Sequence, residues 1–173
     1  MFRHMHHIVR PFIGSLVAGL LALARPTAAS AQVRLSLGVG GGIAGSTDAS
    51  LSNGRAAPIL MGQVTASVVP LIGIGAEADY WRRSVSAITF ATGIAQLHVP
   101  ATSLFVKLGV GYGSGDPDGR GTVSGTAGEI GAAYDITFPA APVALTLFGN
   151  ALLAHAALRS FQMVEGGLAI TWR

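Results

Sequence analysis

The chain has 173 residues, of which 50% are hydrophobic and only 11% are charged, with 24 glycines and no cysteine. This composition is too apolar for a disordered chain and too rich in glycine for a helical bundle, so we expect one all-β domain. The absence of cysteine excludes disulfides, thiolate metal sites and cysteine nucleophiles. The formal charge of +3 does not indicate a nucleic-acid ligand, because residues 32–173 hold eight basic and eight acidic residues.

The N-terminal segment has the pattern of a secretory signal peptide. Its first ten residues are basic, an apolar run follows to Ala24, and Ala29 to Ala31 match a small-x-small cleavage site before Gln32. The apolar run is shorter than the roughly twenty residues that a membrane-spanning helix needs, although an N-terminal anchor is the alternative. We predict that residues 1–31 are a cleaved signal peptide and that residues 32–173 form the mature domain.

Eight stretches of the mature domain have the period-two patterning of β-strands. Each is about ten residues or slightly longer, which is the length that a tilted strand needs to cross a bilayer. The predicted strands are Val33 to Ile43, Ile59 to Val69, Ile72 to Arg82, Ala87 to Val99, Ser103 to Gly113, Val123 to Ile136, Val143 to Ala154 and Phe161 to Trp172.

The connections between these strands alternate in length. Three of them, at residues 70–71, 100–102 and 139–142, are short and contain proline. Proline ends the pairing of a strand and favours a turn, so we expect these connections to be tight. Most of the intervening connections are longer, and the first of them, Ala44 to Pro58, is rich in Ser, Asn and Gly. Such alternation is typical of an up-and-down outer-membrane barrel, which has short periplasmic turns and longer extracellular loops.

The charged residues within strands share a face with small residues, and the opposite faces are apolar. In the third strand, Gly73, Gly75, Glu77, Asp79 and Trp81 alternate with apolar residues. A membrane-spanning strand turns its apolar side chains to lipid and its polar ones to the lumen. The predicted interior charge network consists of Arg34, Glu77, Asp79, Lys107, Glu129, Asp135 and Glu165.

An eight-stranded barrel is barely wide enough for its own side chains, so lone interior charges would be costly. We therefore expect Arg34 and Lys107 to form ion pairs with some of Glu77, Glu129 and Glu165, which would plug the lumen. Glycines on the same face leave room for these long side chains. Aromatic residues near both predicted rims suggest a membrane-interface belt. The predicted belt consists of Tyr80, Trp81, Tyr112, Phe138 and Trp172.

Several segments carry a family resemblance that covers Gln32 to Arg173. They are PLIGIGAEADYW, TSLFVKLGVGYG, GEIGAAYDITF and the terminal GGLAITWR. With these segments the sequence resembles the small outer-membrane β-barrel family, the eight-stranded barrels similar to the OmpA transmembrane domain and to OmpW. The resemblance implies an integral protein of the cell outer membrane without shared catalytic residues. Family members usually end in an aromatic residue that the outer-membrane assembly machinery reads, whereas here Arg173 follows Trp172.

We expect no catalytic, cofactor or metal site. Residues 40–45 (GGGIAG) match a dinucleotide-binding motif formally, but a polar loop follows instead of an apolar helix. Asp116 and Asp118 lack the other ligands of a calcium loop. His155 and Ser160 share the last long connection, and Asp116 or Asp118 could approach them from another, so an enzyme that modifies lipid A in the outer leaflet is an alternative, although nothing in the sequence fixes the partner of His155.

The sequence thus predicts a monomeric outer-membrane barrel with a structural, surface-interaction or envelope-integrity role. Its expected partners are membrane lipid, lipopolysaccharide and the assembly machinery. A narrow channel for small or hydrophobic solutes is one alternative. A secreted, soluble, lipocalin-like barrel that binds an apolar ligand is another, and it would place Glu77, Lys107 and Glu129 on the solvent face.

Overall fold

The computed structural model describes residues 32–47, 54–69, 71–84, 86–116, 121–139, 141–156 and 159–173. The predicted signal peptide, residues 1–31, lies outside the described residues. The strands are β1 (Val33–Ser46), β2 (Arg55–Val69), β3 (Ile72–Arg83), β4 (Ser86–His98), β5 (Leu104–Gly115), β6 (Val123–Thr137), β7 (Val143–His155) and β8 (Ser160–Trp172). Among the described residues, no helix is long and apolar enough to cross a membrane.

The eight strands form one closed antiparallel barrel in which each strand pairs with its neighbours in the chain. The barrel closes between β1 and β8, so Val39 pairs with Leu60 on one side and with Leu168 on the other. Closure leaves no unpaired sheet edge, which is the condition for a sheet to exist in lipid. The predicted all-β, eight-stranded, up-and-down barrel is confirmed.

The largest difference from the predicted strand boundaries is at β2. This strand begins at Arg55 and not at Ile59, because Ala56, Ala57 and Pro58 continue the pairing with β1. Pro58 pairs with Gly41 inside the ladder. Proline has an extended backbone that suits a strand and lacks only one hydrogen-bond donor, so it does not end β2 here.

The outer surface of the barrel is apolar and the inner surface is polar at mid-height. Burial alternates along every strand, and the exposed side of β5 carries Val106, Leu108 and Val110, of which Val110 is 77% exposed. The side chains on the other face of the same strand, including Lys107, point inward and are buried. This is the inverse of a soluble barrel, whose inner face is apolar and whose outer face is polar.

The interior is layered along the barrel axis. Near the long connections it is apolar, and it contains Ile59, Trp81, Ile88, Phe90 and Phe161, all fully buried. The rings of Phe90 and Phe161 pack with their centroids 5.5 Å apart. The charged residues lie below this layer, toward the short turns, and they form the candidate site.

Candidate functional site

All seven residues of the predicted interior charge network lie on the inner face of the barrel. Each is at most 8% exposed, because the strand period of two puts it on the face opposite the outward aliphatic residues. The structure divides the network into two groups. A central cluster contains Glu77, Asp79, Lys107, Glu129 and Glu165, and a second cluster near the short turns contains Arg34 and Asp135, which Arg173, outside the predicted network, joins.

Lys107 is the centre of the first cluster. Its Nζ donates to both carboxylate oxygens of Glu77 and lies 2.9 Å from Oε1 of Glu129. The three residues come from β5, β3 and β6, so the ion pair with Glu77 spans the intervening β4, whereas the ion pair with Glu129 joins two neighbouring strands. Buried charges persist only when they are paired and hydrogen-bonded, and Lys107 supplies that pairing to two carboxylates.

Neutral polar side chains complete the environment of the Glu77 carboxylate. Gln63 Nε2 donates to its Oε2 at 2.5 Å, and Asn150 Nδ2 donates to its Oε1 at 2.9 Å. The same Asn150 amide donates to Oε1 of Glu165 at 2.8 Å. Gln63 is itself held by Gln96, whose Nε2 donates to its Oε1 at 3.0 Å. Glu77 therefore accepts hydrogen bonds from three strands besides its own.

The sequence prediction did not include these neutral side chains, which are Gln63, Thr92, Gln96, Asn150 and Thr146. Thr92 Oγ1 donates to Oε2 of Glu129 at 2.5 Å, and Thr146 Oγ1 donates to Oδ1 of Asp135 at 2.6 Å. Each has the inward parity of its strand. That parity is the signal that could have found them, because a polar residue on the inner face must find a polar partner.

The second cluster surrounds the Asp135 carboxylate. Arg34 lies 2.5 Å from its Oδ2, and Arg173 lies 2.8 Å from the same oxygen. The guanidinium of Arg34 also stacks over the ring of Phe105, 5.2 Å from its centroid. The prediction that Arg34 pairs with Glu77, Glu129 or Glu165 was wrong. Arg34 is the second residue of β1 and lies near the short turns, level with the end of β6 that carries Asp135.

Asp79 differs from the other four residues of the central cluster. It is 1% exposed, and no amide, hydroxyl or basic side chain of the described residues donates a hydrogen bond to its carboxylate oxygens, although the carboxyl of Glu165 lies within hydrogen-bonding reach. The neighbouring groups that act on it most strongly are the carboxylates of Glu77, Glu165 and Glu129. Asp79 therefore adds a carboxyl group to the cluster that no basic side chain of the described residues holds by a hydrogen bond.

Trp81 is not a residue of the membrane-interface belt, so this part of the prediction was wrong. Its side chain is 0% exposed, and its Nε1 donates to the backbone oxygen of Gly42 at 3.1 Å. The physical reason is strand parity, since Trp81 lies two residues after Asp79 and so points into the barrel. The indole belongs to the apolar layer that covers the central cluster.

The other four aromatic residues lie on the outside. Tyr112, Phe138 and Trp172 are exposed and Tyr80 is partly exposed. Tyr80 and Tyr112 are close to the long connections, while Phe138 and Trp172 are close to the short turns. Their role as a membrane-interface belt stays a prediction.

The structure brings the histidine and the serine of the last long connection together. His155 Nδ1 and Ser160 Oγ are 2.7 Å apart, at the paired ends of β7 and β8. Asp116, which the sequence offered as a third member, accepts a hydrogen bond from the backbone nitrogen of Gly121 at 3.1 Å. Asp118 lies outside the described residues.

The barrel is similar to solved structures of other proteins, although no protein-family model matches its sequence and no curated protein does. The structure is similar to that of Neisserial surface protein A, with a TM-score of 0.56 and 11% identity over 81% of this chain and 96% of that one. It is also similar to Ail, the attachment invasion locus protein of Yersinia pestis, with a TM-score of 0.52 and 13% identity over 83% of this chain and 100% of that one.

The chain has the fold of the small eight-stranded outer-membrane β-barrels. The identities are low, so the likeness concerns the fold. The arrangement of side chains decides against the soluble, lipocalin-like alternative. Glu77, Lys107 and Glu129, which that alternative places in solvent, are buried inside the barrel.

Proposed function

We propose that the chain is an integral protein of the outer membrane, exported by a cleaved signal peptide and inserted as a monomeric barrel. The inverted polarity of the barrel carries this proposal. Aliphatic side chains such as Leu37, Leu108 and Val110 cover the outside, where water would make them unfavourable and hydrocarbon would not. Charged side chains lie on the inside, where Arg34 pairs with Asp135 and Lys107 pairs with Glu77.

The test is the location and the mature N-terminus of the expressed full-length chain. The proposal expects the protein in the outer-membrane fraction, resistant to extraction with urea, and with a mass that corresponds to a start at Gln32. A protein that urea releases from the membrane contradicts the integral location. A mass that includes residues 1–31 contradicts only the cleaved signal peptide.

We further propose that the barrel does not conduct and that its role is structural. The supporting observation is the filled interior, where the apolar layer with Trp81 and Phe90 lies above the central cluster around Lys107. The second cluster, with Arg34 and Asp135, fills the end near the short turns. A narrow channel is the alternative. In planar bilayers we expect no conductance steps from the purified barrel, and reproducible steps would favour the channel.

The rim at the long connections is the proposed surface of interaction with lipopolysaccharide. Arg55 begins β2, and Arg82 and Arg83 end the neighbouring β3, and all three are exposed. Guanidinium groups bind phosphates in a bidentate manner, and lipopolysaccharide carries phosphates at this level of the membrane. This role is one of binding and anchoring, and it assigns no catalytic function to His155 and Ser160.

Replacing the three arginines with alanine should reduce the lipopolysaccharide that copurifies with the barrel. A matched variant with lysine at the same positions keeps the charge and should retain more of it. Binding is compared for phosphorylated and for dephosphorylated lipopolysaccharide. If the alanine variant and the wild type bind each form equally well, the rim is not the binding surface.

A further inference from the structure

The central cluster contains three carboxylates in an arrangement that suits a cation. Glu77, Asp79 and Glu129 each offer one oxygen, and these three oxygens all lie within 4.8 Å of one another. All three residues are buried, at 5% exposure or less. Glu77 and Asp79 are two residues apart on β3, so their side chains point to the same face of the strand. The side chain of Glu129 extends to them from β6.

The carboxylate of Asp79 is directed into this group without a donor. No amide, hydroxyl or basic side chain of the described residues donates to either of its oxygens, although almost every buried polar atom in a folded protein has such a partner, and the group within hydrogen-bonding reach is the carboxyl of Glu165. Its neighbours are the acceptor carboxylates of Glu77, Glu129 and Glu165. The oxygen Oδ1 of Asn150 is likewise buried and without a partner in the described part of the chain.

If all of its carboxyl groups are ionised, the cluster carries more negative than positive charge. Four carboxylates meet here, and Lys107 is the cation that the described residues bring into contact with them. Arg34 and Arg173 are both occupied by Asp135 in the second cluster. An excess of buried negative charge is costly, so either a further cation or protons on the carboxyl groups must balance it in the folded barrel.

We propose that the interior of the barrel binds a hard divalent cation, of the Ca²⁺ or Mg²⁺ class, through the carboxylates of Asp79, Glu77 and Glu129. Oxygen is the ligand atom that these cations prefer, and the site supplies only oxygen ligands. Lys107 continues to neutralise part of the charge of Glu77 and Glu129. Asp79 has no such basic partner, so its carboxylate is the main ligand of the proposed cation. The cation would bind as the barrel folds, because the apolar layer covers the cluster.

The neighbouring indole provides a direct probe. Trp81 follows Asp79 by two residues on the same inner face, so their Cα atoms are roughly 7 Å apart. Tb³⁺ replaces Ca²⁺ at oxygen sites, and a tryptophan at this range sensitises its luminescence. The other tryptophan, Trp172, is on the outside near the short turns and serves as a control.

The experiment uses the full chain, purified from membranes in detergent, unfolded with chelator and refolded with Tb³⁺. We expect tryptophan-sensitised emission that saturates near one ion per barrel, that excess Ca²⁺ displaces and that Trp172→Phe retains. The variant Asp79→Asn should fold, as judged by its gel mobility before boiling, and its emission should fall to background. The matched variant Asp135→Asn removes a buried carboxylate of the second cluster and should keep the emission.

A folded wild-type barrel without sensitised emission would overturn the proposal, as would emission that Asp79→Asn leaves unchanged. If Asp79→Asn fails to fold, the wild type alone decides. Its urea midpoint should rise with Ca²⁺ or Mg²⁺ relative to chelator. If the urea midpoint is the same with and without the two ions and rises on acidification, protons neutralise the cluster. That result also overturns the proposal. None of these outcomes depends on where in the cell the barrel resides.

Discussion

Lys107 Nζ contacts the carboxylate of Glu77 across the lumen, although their strands, β5 and β3, are separated by β4. Backbone pairing connects only neighbouring strands, so this ion pair is a link between parts of the barrel that the ladder does not join directly. The same Nζ lies 2.9 Å from Oε1 of Glu129, so Lys107 pairs with two carboxylates at once.

Replacing Lys107 with leucine should destabilise the barrel strongly. The variant leaves Glu77 and Glu129 buried without their cation, and breaking a buried pair on one side costs about 3 kcal/mol or more. The measurement is the urea midpoint in detergent, followed by the gel mobility of unboiled samples. Leu108→Met, on the lipid-facing side of the same strand, is the matched control and should change the midpoint little.

The pairing also predicts a rescue. Adding Glu77→Gln and Glu129→Gln to Lys107→Leu removes the uncompensated charges and should recover part of the lost stability. An unchanged midpoint in Lys107→Leu, or a triple variant weaker than the single one, would contradict the role given to this ion pair.

Gly131 provides the space that Lys107 occupies. A Cβ at this position would lie 2.4 Å from Oδ1 of Asn150 and 2.7 Å from Cε of Lys107. We expect Gly131→Ala to cost about 1–3 kcal/mol, because both side chains must move in a filled interior. Gly128, on the outer face of the same strand, has no atom within 4 Å of such a Cβ. Gly128→Ala should therefore be neutral or slightly stabilising, and equal effects of the two changes would contradict the filled interior.

The two arginines at Asp135 should differ in their importance. Arg34 has a side chain that is 9% exposed, whereas that of Arg173 is 30% exposed, so water and salt screen the second pair more. Arg173→Ala should cost about 1 kcal/mol or less. Asp135→Ala strands the buried Arg34 and should cost about 3 kcal/mol or more in the same urea titration. Similar losses in the two variants would show that Asp135 does not hold Arg34.

The two tryptophans should report the inside and the outside of the barrel separately. In vesicles that contain brominated lipid, the single-tryptophan variant Trp81→Phe retains Trp172, which is 41% exposed on the outer surface, and its fluorescence should be quenched strongly. The variant Trp172→Phe retains the buried Trp81 and should be quenched much less. The reverse order would place the indole of Trp81 on the lipid-facing surface.

The number of strands could be predicted from the sequence because eight stretches alternate with a period of two. The side that each residue faces could be predicted because such a strand has only two faces. Once Glu77 is assigned to the inside, Asp79 and Trp81 must follow it, so the interior position of all seven charges was available from parity. The same rule applied to Trp81 conflicts with its assignment to the belt. Its position near a rim outweighed its parity in the prediction, and parity was the better guide.

The partners of the charged residues could not be predicted in this way. Parity shows that Arg34 points inward, but its height and its position around the barrel depend on strand tilt and register, which bring it to Asp135. The lack of a donor at Asp79 has the same origin. It depends on which of Gln63, Asn150 and Lys107 reach each carboxylate, and one strand's pattern contains no such information.

The most direct test of the central claim is the gel mobility of the full-length chain in its outer-membrane fraction, with and without boiling in SDS. A barrel with lipid-facing aliphatic residues and a paired, charged interior should stay folded in SDS until it is boiled. We expect a band in that fraction that shifts on boiling. A soluble product, or a membrane band with the same mobility in both samples, would contradict it.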